Sequence, residues 1–317
     1  MAAPIAPIRG RPPMSGFLDE MASLSAARVA EARRHESTDA LERRARQTPA
    51  GAPLRLSAAG FDVIAELKLR SPAAGALGDE NQDWLGRVAA YAHGGAASVS
   101  VLTEPSRFDG SLEHLRRAAA VLAPFGVPAM RKDFLVDPYQ VLEARAAGAG
   151  GVLVILRMLP RTRTEELLDV AAEQGLFVLL EAFDEVDLEL ARDLLSSRAA
   201  QRASEDAAGA ARIEPLGHAA HGEVSRGGMS RGQILLGVNC RDLQTLEVVP
   251  ERFAALAPRL PSGWPAVAES GVASSADAQR MRQLGYGVAL IGTALMTGDD
   301  PSRLLGEMLN AARTVQP

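Results

Sequence analysis

From about residue 63 the chain alternates between two patterns of apolar and polar positions. Short apolar segments rich in β-branched residues occur at Val63–Lys68, Ala97–Thr103, Pro128–Lys132, Gly151–Leu156, Leu176–Glu181, Ile234–Asn239, Pro265–Ser270 and Gly287–Gly292, and each is followed by an amphipathic helical stretch. Near-continuous hydrophobicity over so few residues predicts strands buried on both faces of a parallel sheet. Eight such strand–helix units in one chain make a closed (β/α)8 barrel, a TIM barrel, the leading architecture. An open doubly wound sheet is the alternative. It ordinarily places G-x-G-x-x-G after its first strand, and none follows Val63–Lys68.

The third unit is the most informative. In Pro128-Ala129-Met130-Arg131-Lys132-Asp133-Phe134-Leu135-Val136-Asp137-Pro138-Tyr139-Gln140 a lysine closes an apolar segment directly before a helix. Asp137 suits the cap of that helix, Pro138 its first turn and Gly148 its end. Charge at a strand end is poorly explained by packing unless it is paired or used.

Two stretches fall outside the repeat. Apolar residues at helical spacing (Leu18, Met21, Leu24, Ala27, Val29, Leu41) predict one or two helices within residues 17–50, ahead of the barrel. Residues 1–16, rich in Pro and Ala, lack the apolar core of a signal peptide and read as a disordered terminus. Between the helix Asp184–Leu195 and the strand at Ile234 lie about forty residues, mainly Ser, Arg, Ala, Gly and His. Part of this stretch is expected to continue the helix through Arg202; the rest, within about 200–232, reads as a flexible insertion into a single domain spanning 17–317. It is a helix-to-strand connection, which places it at the bottom of a barrel, away from the mouth. His218 and His221 within it have a metal-like spacing but no partner cluster, and read as solvated loop residues.

Composition narrows the partners. The 317 residues are 47% hydrophobic, enough for a large core, and the net charge is −5. Basic clusters are confined to pairs such as Arg33-Arg34 and Arg43-Arg44, which argues against nucleic acid, and no apolar run approaches a membrane span. Cys240 is the single cysteine, so no internal disulfide and no cysteine-based metal site can form, and a reducing cytoplasm fits. A monomer or weak homo-oligomer is expected.

The polar groups gather at the strand ends. The first strand ends with Glu66, Lys68 and then Ser71, the third with Lys132 and Phe134, the fifth with Glu181, and the sixth with Asn239 and Arg241. Side chains alternate along a strand, so Glu66 with Lys68, Lys132 with Phe134, and Asn239 with Arg241 each share a face, the inside in a barrel. An ordinary salt bridge explains any one of them. Two lysines, two glutamates, an arginine and an asparagine converging on one cavity imply a polar ligand. The seventh and eighth strands end in Ser270-Gly271 and in Leu290-Ile291-Gly292-Thr293. Glycines at two adjacent strand ends let backbone N–H groups approach an anion, and phosphate binding there recurs in barrels. A phosphorylated small molecule is the expected ligand. None of the five histidines falls at a strand end, so acid–base work goes to lysine and glutamate. Like charge from Lys68 is expected to pull the Lys132 pKa down, and burial to raise that of a glutamate.

These residues resemble the indole-3-glycerol-phosphate synthase family of tryptophan biosynthesis, from about Phe17 to Leu309 except for the insertion. The specific stretches are Ile64-Ala65-Glu66-Leu67-Lys68 with Ser71-Pro72, Ser100-Val101-Leu102-Thr103-Glu104-Pro105, Arg131-Lys132-Asp133-Phe134, Gly237-Val238-Asn239-Cys240-Arg241-Asp242-Leu243 and Ala268-Glu269-Ser270-Gly271. The resemblance implies a (β/α)8 barrel without metal or organic cofactor. It implies ring closure of 1-(2-carboxyphenylamino)-1-deoxyribulose 5-phosphate with loss of carbon dioxide and water. Carried over, Lys132 is the general acid at the ribulose carbonyl, Glu66 orients it, Glu181 assists the dehydration, and Lys68 meets anionic groups or serves as a second acid. Asn239, Arg241 and Ser71 hold hydroxyls and the anthranilate carboxylate, and Phe134 packs on the aromatic ring. Ser270, Gly271, Leu290, Gly292 and Thr293 form the phosphate side.

Departures from the family pattern border the mouth. Thr293 stands where serine is more frequent, Ala73-Ala74 follows Ser71-Pro72, Ser106 replaces a frequent basic residue, and Phe183 replaces a frequent histidine beside Glu181. Cys240 reads as packing. Two rivals remain: a phosphosugar isomerase on a similar barrel, which calls for an opposed Cys and Asp pair that is missing, and a binding paralogue without turnover, in which loss of Lys132 or Glu181 is expected.

Overall fold

The computed structural model describes residues 16–72, 75–77, 83–210, 233–243 and 245–316. Eight parallel strands close into a barrel in chain order: β1 (Asp62–Leu67), β2 (Ser98–Leu102), β3 (Ala129–Lys132), β4 (Gly151–Ile155), β5 (Phe177–Ala182), β6 (Ile234–Asn239), β7 (Ala266–Glu269) and β8 (Val288–Ile291). β8 pairs with β1 through Asp62↔Val288 to Ala65↔Ile291, which completes the circle. Every residue of the eight strands is buried except Lys132. This is why their sequences read as unbroken apolar runs: one face packs inside the barrel and the other against helices. The predicted strands coincide with the observed ones to within a residue or two.

The helices of the barrel are α3 (Trp84–His93), α4 (Leu112–Leu122), α5 (Pro138–Ala146), α6 (Arg161–Glu173), α7 (Glu185–Ala210), α8 (Glu251–Leu256), α9 (Ser275–Gln283) and α10 (Pro301–Arg313), preceded by α1 (Gly16–His35) and α2 (Thr38–Gln47). The cap expected of α5 is present as a full capping box: Tyr139 N–H donates to Asp137, and Gln140 Oε1 accepts from the Asp137 and Val136 N–H groups at 3.2 and 2.8 Å. Gly148, two residues past the end of α5, takes φ +84°, a conformation open to glycine.

The insertion departs from expectation where it begins. α7 continues past Arg202 to Ala210, and its 26 residues are twice the 13 of α6. At 1.5 Å per residue the helix is about 39 Å long. It starts beside the mouth after β5 and runs toward the opposite rim, where β6 begins. Residues 211–232, with His218 and His221, lie outside the described residues, as does the stretch before Gly16. Above β1, Arg70–Ser71 and Gly75–Ala76 pair as a small antiparallel ribbon.

The N-terminal helices brace the third unit. Val29, Leu41, Ala45, Tyr139, Leu142 and Ala146 form a small core between α1, α2 and α5. Ser25, fully buried, donates to the Phe134 carbonyl and accepts from Gln140 Nε2 at 2.8 Å. Arg28 pairs with Asp133 at 2.6 Å and with Glu104 at 3.3 Å. At the other end of the chain Arg313 of α10 donates to the Phe61 carbonyl at 2.9 Å and to Asp62 at 3.0 Å, tying the last helix to the first strand.

Candidate active site

The C-terminal ends of the strands enclose a cavity of about 370 Å³. All thirteen residues singled out from sequence line it: Glu66, Lys68, Ser71, Lys132, Phe134, Glu181, Asn239, Arg241, Ser270, Gly271, Leu290, Gly292 and Thr293. The alternation argument holds at each strand end, because residues two apart share the inner face.

Glu66 is the hub of the charges. One carboxylate oxygen lies 2.9 Å from Lys68 Nζ and the other 3.8 Å from Lys132 Nζ. Burial disfavours its ionised form, but the two ammonium groups together outweigh burial and hold the Glu66 pKa below the usual carboxylate range. The expectation for Lys132 is overturned. Burial does disfavour its ammonium, yet Glu181, Glu66 and Glu269 prevail and hold its pKa above that of an ordinary lysine. The like charge that opposes them is that of Arg241, and it is outweighed. Lys132 is therefore a protonated acid at neutral pH.

Glu181 is held by a relay. Asn239 Nδ2 donates to Glu181 Oε1 at 2.6 Å, while Asn239 Oδ1 accepts from the Arg241 N–H at 2.9 Å and from Ser270 Oγ at 3.0 Å. One hydrogen of the Asn239 amide thus orients Glu181, while its oxygen is held by the Arg241 backbone and Ser270. Burial raises the Glu181 pKa against the opposing pull of Lys132 and Asn239. Arg241 turns its guanidinium to the Leu246 carbonyl at 2.6 Å, which folds the following loop over the mouth.

The glycines make room for these groups. A Cβ on Gly292 would sit 2.5 Å from Glu66 Oε1 and 2.9 Å from Lys68 Nζ, so the strand end must be bare for the pair to form. Ser270 and Gly271 take φ +69° and +72° in succession. For serine that conformation is strained, and strain of this kind concentrates at binding sites. Cys240 is fully buried, its thiol pKa pushed up to about 11 by burial, in keeping with packing.

Residues 18–198 and 205–308 match the sequence profile of the family described as indole-3-glycerol phosphate synthase. The chain belongs to the indole-3-glycerol phosphate synthase family. It is 37% identical over 296 residues to the indole-3-glycerol phosphate synthase of Parafrankia sp. (strain EAN1pec), covering 93% of this chain and 95% of that one. It is 35% identical over 292 residues to the synthase of Mycobacterium tuberculosis (strain CDC 1551 / Oshkosh), covering 91% and 92%. Among solved structures, 3-hexulose-6-phosphate synthase from Salmonella typhimurium superposes with a TM-score of 0.54 at 11% identity, over 80% of this chain and 99% of that chain. At that identity the likeness shows the barrel alone.

This synthase-family mouth also contains residues that the sequence reading passed over. Glu269 lines the cavity from the end of β7; both its carboxyl oxygens are buried without a hydrogen-bond partner among the described residues, and burial followed by the charge of Glu181 raises its pKa well above the ordinary value. Its signal was available, since a glutamate closing an apolar run is the same feature as the lysine of β3. Gly237 on β6 has no side chain because Glu269 occupies the space: a Cβ there would sit 2.0 Å from Glu269 Oε1. Phe17 and Phe108 flank Phe134 with ring centroids 5.8 and 6.2 Å away, making a wall of three aromatic rings. Phe17 carries no local signal, because α1 brings it to the mouth from far along the chain.

Proposed function

We propose that this chain, an enzyme of the indole-3-glycerol phosphate synthase family, uses the groups at its mouth to close, decarboxylate and dehydrate 1-(2-carboxyphenylamino)-1-deoxyribulose 5-phosphate. It is a carbon–carbon lyase of tryptophan biosynthesis. The observation that carries the assignment of roles is the Lys68–Glu66–Lys132 array, with distances of 2.9 and 3.8 Å, facing Glu181 and Glu269 across one cavity.

In this reading the ring carbon that bears the carboxylate attacks the ribulose carbonyl, and Lys132 gives its proton to the carbonyl oxygen as the carbon–carbon bond forms. The raised pKa of Lys132 supports that role, since the donor must arrive charged. Glu66 orients the ammonium and shares its charge with Lys68, which meets the substrate's anionic groups or serves as a second acid. Loss of carbon dioxide restores the aromatic ring. Glu181, oriented through Asn239, carries the proton that lets the hydroxyl leave as water. Glu269, uncharged below its raised pKa, faces the same groups from β7. Phe17, Phe108 and Phe134 hold the anthranilate ring, and Ser71 and Arg241 its carboxylate and the hydroxyls. Ser270, Gly271, Leu290, Gly292 and Thr293 form the phosphate side, where the first turn of the short helix Thr293–Thr297 leaves N–H groups without intrahelical partners.

The partner is then a phosphorylated small molecule, and the described residues of one chain enclose the cavity, which supports a monomer or weak homo-oligomer. Residues 17–317 act as one domain because α1 contributes Phe17 to the cavity. The lone, buried Cys240 suits the cytoplasm. The test is the fluorescence of indole-3-glycerol phosphate formed from the synthetic substrate. Lys132→Ala is expected to lower kcat by about 10²–10⁴-fold. Absence of product from the unaltered chain would overturn the activity, and near-normal turnover by Lys132→Ala would overturn the role of that lysine.

A further inference from the structure

Phe183 follows Glu181 by two positions, so the two side chains share the inner face at the end of β5, and both line the cavity. The ring is fixed from behind. The Arg157 guanidinium lies 4.6 Å from its centroid. Buried Asp187 accepts from the Phe183 N–H at 2.9 Å and from Arg157 Nε at 2.9 Å, and Arg157 Nη2 reaches Asp184 at 2.5 Å. On the cavity that both side chains line, Glu181 Oε1 is taken by Asn239, while Oε2 is buried without a hydrogen-bond partner among the described residues. A polar side chain at position 183 would offer Oε2 a donor. The aromatic ring does not.

We propose that Phe183, clamped by Arg157 and Asp187, is a positioning residue that sets an apolar ring on one side of Glu181 and leaves Oε2 without a protein donor, reserved for the hydroxyl that leaves from the substrate. The proposal rests on the reading of Glu181 as the proton carrier of the dehydration. The charged groups that face Glu181 are Lys132 from β3, Glu66 and Lys68 from β1, Arg157 from beyond β4, Arg241 from beyond β6 and Glu269 from β7. Among them Lys132 and Arg157 favour its ionised form and Glu66 opposes it, while burial raises its pKa most.

Two substitutions should therefore move Glu181 in opposite directions. Phe183→Asn supplies a donor that stabilises the carboxylate, and Arg157→Met removes a cation that does so. Infrared titration of the protonated carboxyl stretch reads this without turnover, with the band absent from Glu181→Gln identifying Glu181. The midpoint is expected to fall by about one pH unit in Phe183→Asn, to rise by about half a unit in Arg157→Met, and to stay within about 0.3 in Phe183→Leu. Phe183→Asn should also lose about tenfold in kcat with KM nearly unmoved. If Phe183→Asn does not fold, Phe183→His, read above its own titration, tests the same donor. An unmoved midpoint in the donor variant, or shifts of one sign in the donor variant and Arg157→Met, would overturn the proposal, since a merely loosened fold gives the latter. Wild-type turnover by Glu181→Gln would overturn the reading of Glu181 and with it the purpose given to Phe183. Unmoved midpoints beside an inactive Glu181→Gln would overturn Phe183 alone.

Discussion

Adding a single methyl group at Gly237 tests whether the barrel is built around Glu269. β6 places Gly237 beside Glu181 of β5 in register, and Asn239, two residues on, beside Glu269 of β7. The added Cβ would stand 2.0 Å from Glu269 Oε1 and 3.1 Å from Leu179 Cδ1. A carbon–oxygen contact needs about 3.3 Å, so the carboxyl must retreat by more than about 1 Å. The atom in the way is the end of a flexible side chain, so folding should suffer little, about 1 kcal/mol. Catalysis is less tolerant: a misplacement of about 1 Å among the groups that line the site costs on the order of 10²-fold. Gly237→Ala is therefore expected to keep a melting temperature within a few degrees of the unaltered chain and to lose about 10²-fold in kcat, measured by product fluorescence. Glu269→Gln provides the comparison. Should Gly237→Ala turn over within threefold of normal while Glu269→Gln is impaired, the claim that Gly237 exists to seat Glu269 is wrong.

Two further outcomes follow from the same geometry. An unfolded chain releases the Glu269 proton near the ordinary value of 4.5, whereas the folded chain keeps it to a much higher pH. The folded state binds more protons across that window, so this group lowers stability as pH rises through it. Glu269→Gln should accordingly raise the melting temperature at pH 8 relative to pH 4 by a few degrees, on the order of 1 kcal/mol, and an equal effect at both values would refute the assignment. Deleting Ala203–Arg231 should leave kcat within a few-fold, because α7, after which that stretch follows, runs away from the mouth; lost activity in a folded deletion would refute the expectation that the insertion takes no part in catalysis.

The fold was legible because all eight strands are buried on both faces, which writes them as apolar runs, and because helix caps such as Asp137 and turn glycines such as Gly148 punctuate them. The polar strand ends were legible by parity. What sequence could not supply was the sign of an electrostatic balance. The sequence suggests that Lys68 depresses Lys132, and only the gathering of Glu181, Glu66 and Glu269 around Lys132 in space reverses the sign. Glu269 is hidden in the sequence by its neighbours Ser270 and Gly271, which read as a phosphate site. Gly237 and Phe17 are a different case. Their meaning lies in what stands opposite them in space, across strands or across the chain, and no local pattern records it.

The contacts of α1 have a consequence for how the molecule comes into being. Ser25 meets Phe134 across 109 residues, Arg28 meets Asp133 across 105, and Gln140 reaches Ser25 across 115. During synthesis the first helix leaves the ribosome long before any of these partners exists. At about 5–20 residues per second it waits for several seconds with its apolar face uncovered. Such distant pairings are slow to form and leave surface open to mispairing. The wall of the mouth that Phe17 completes is thus among the first parts of the chain to be made and among the last to find its place.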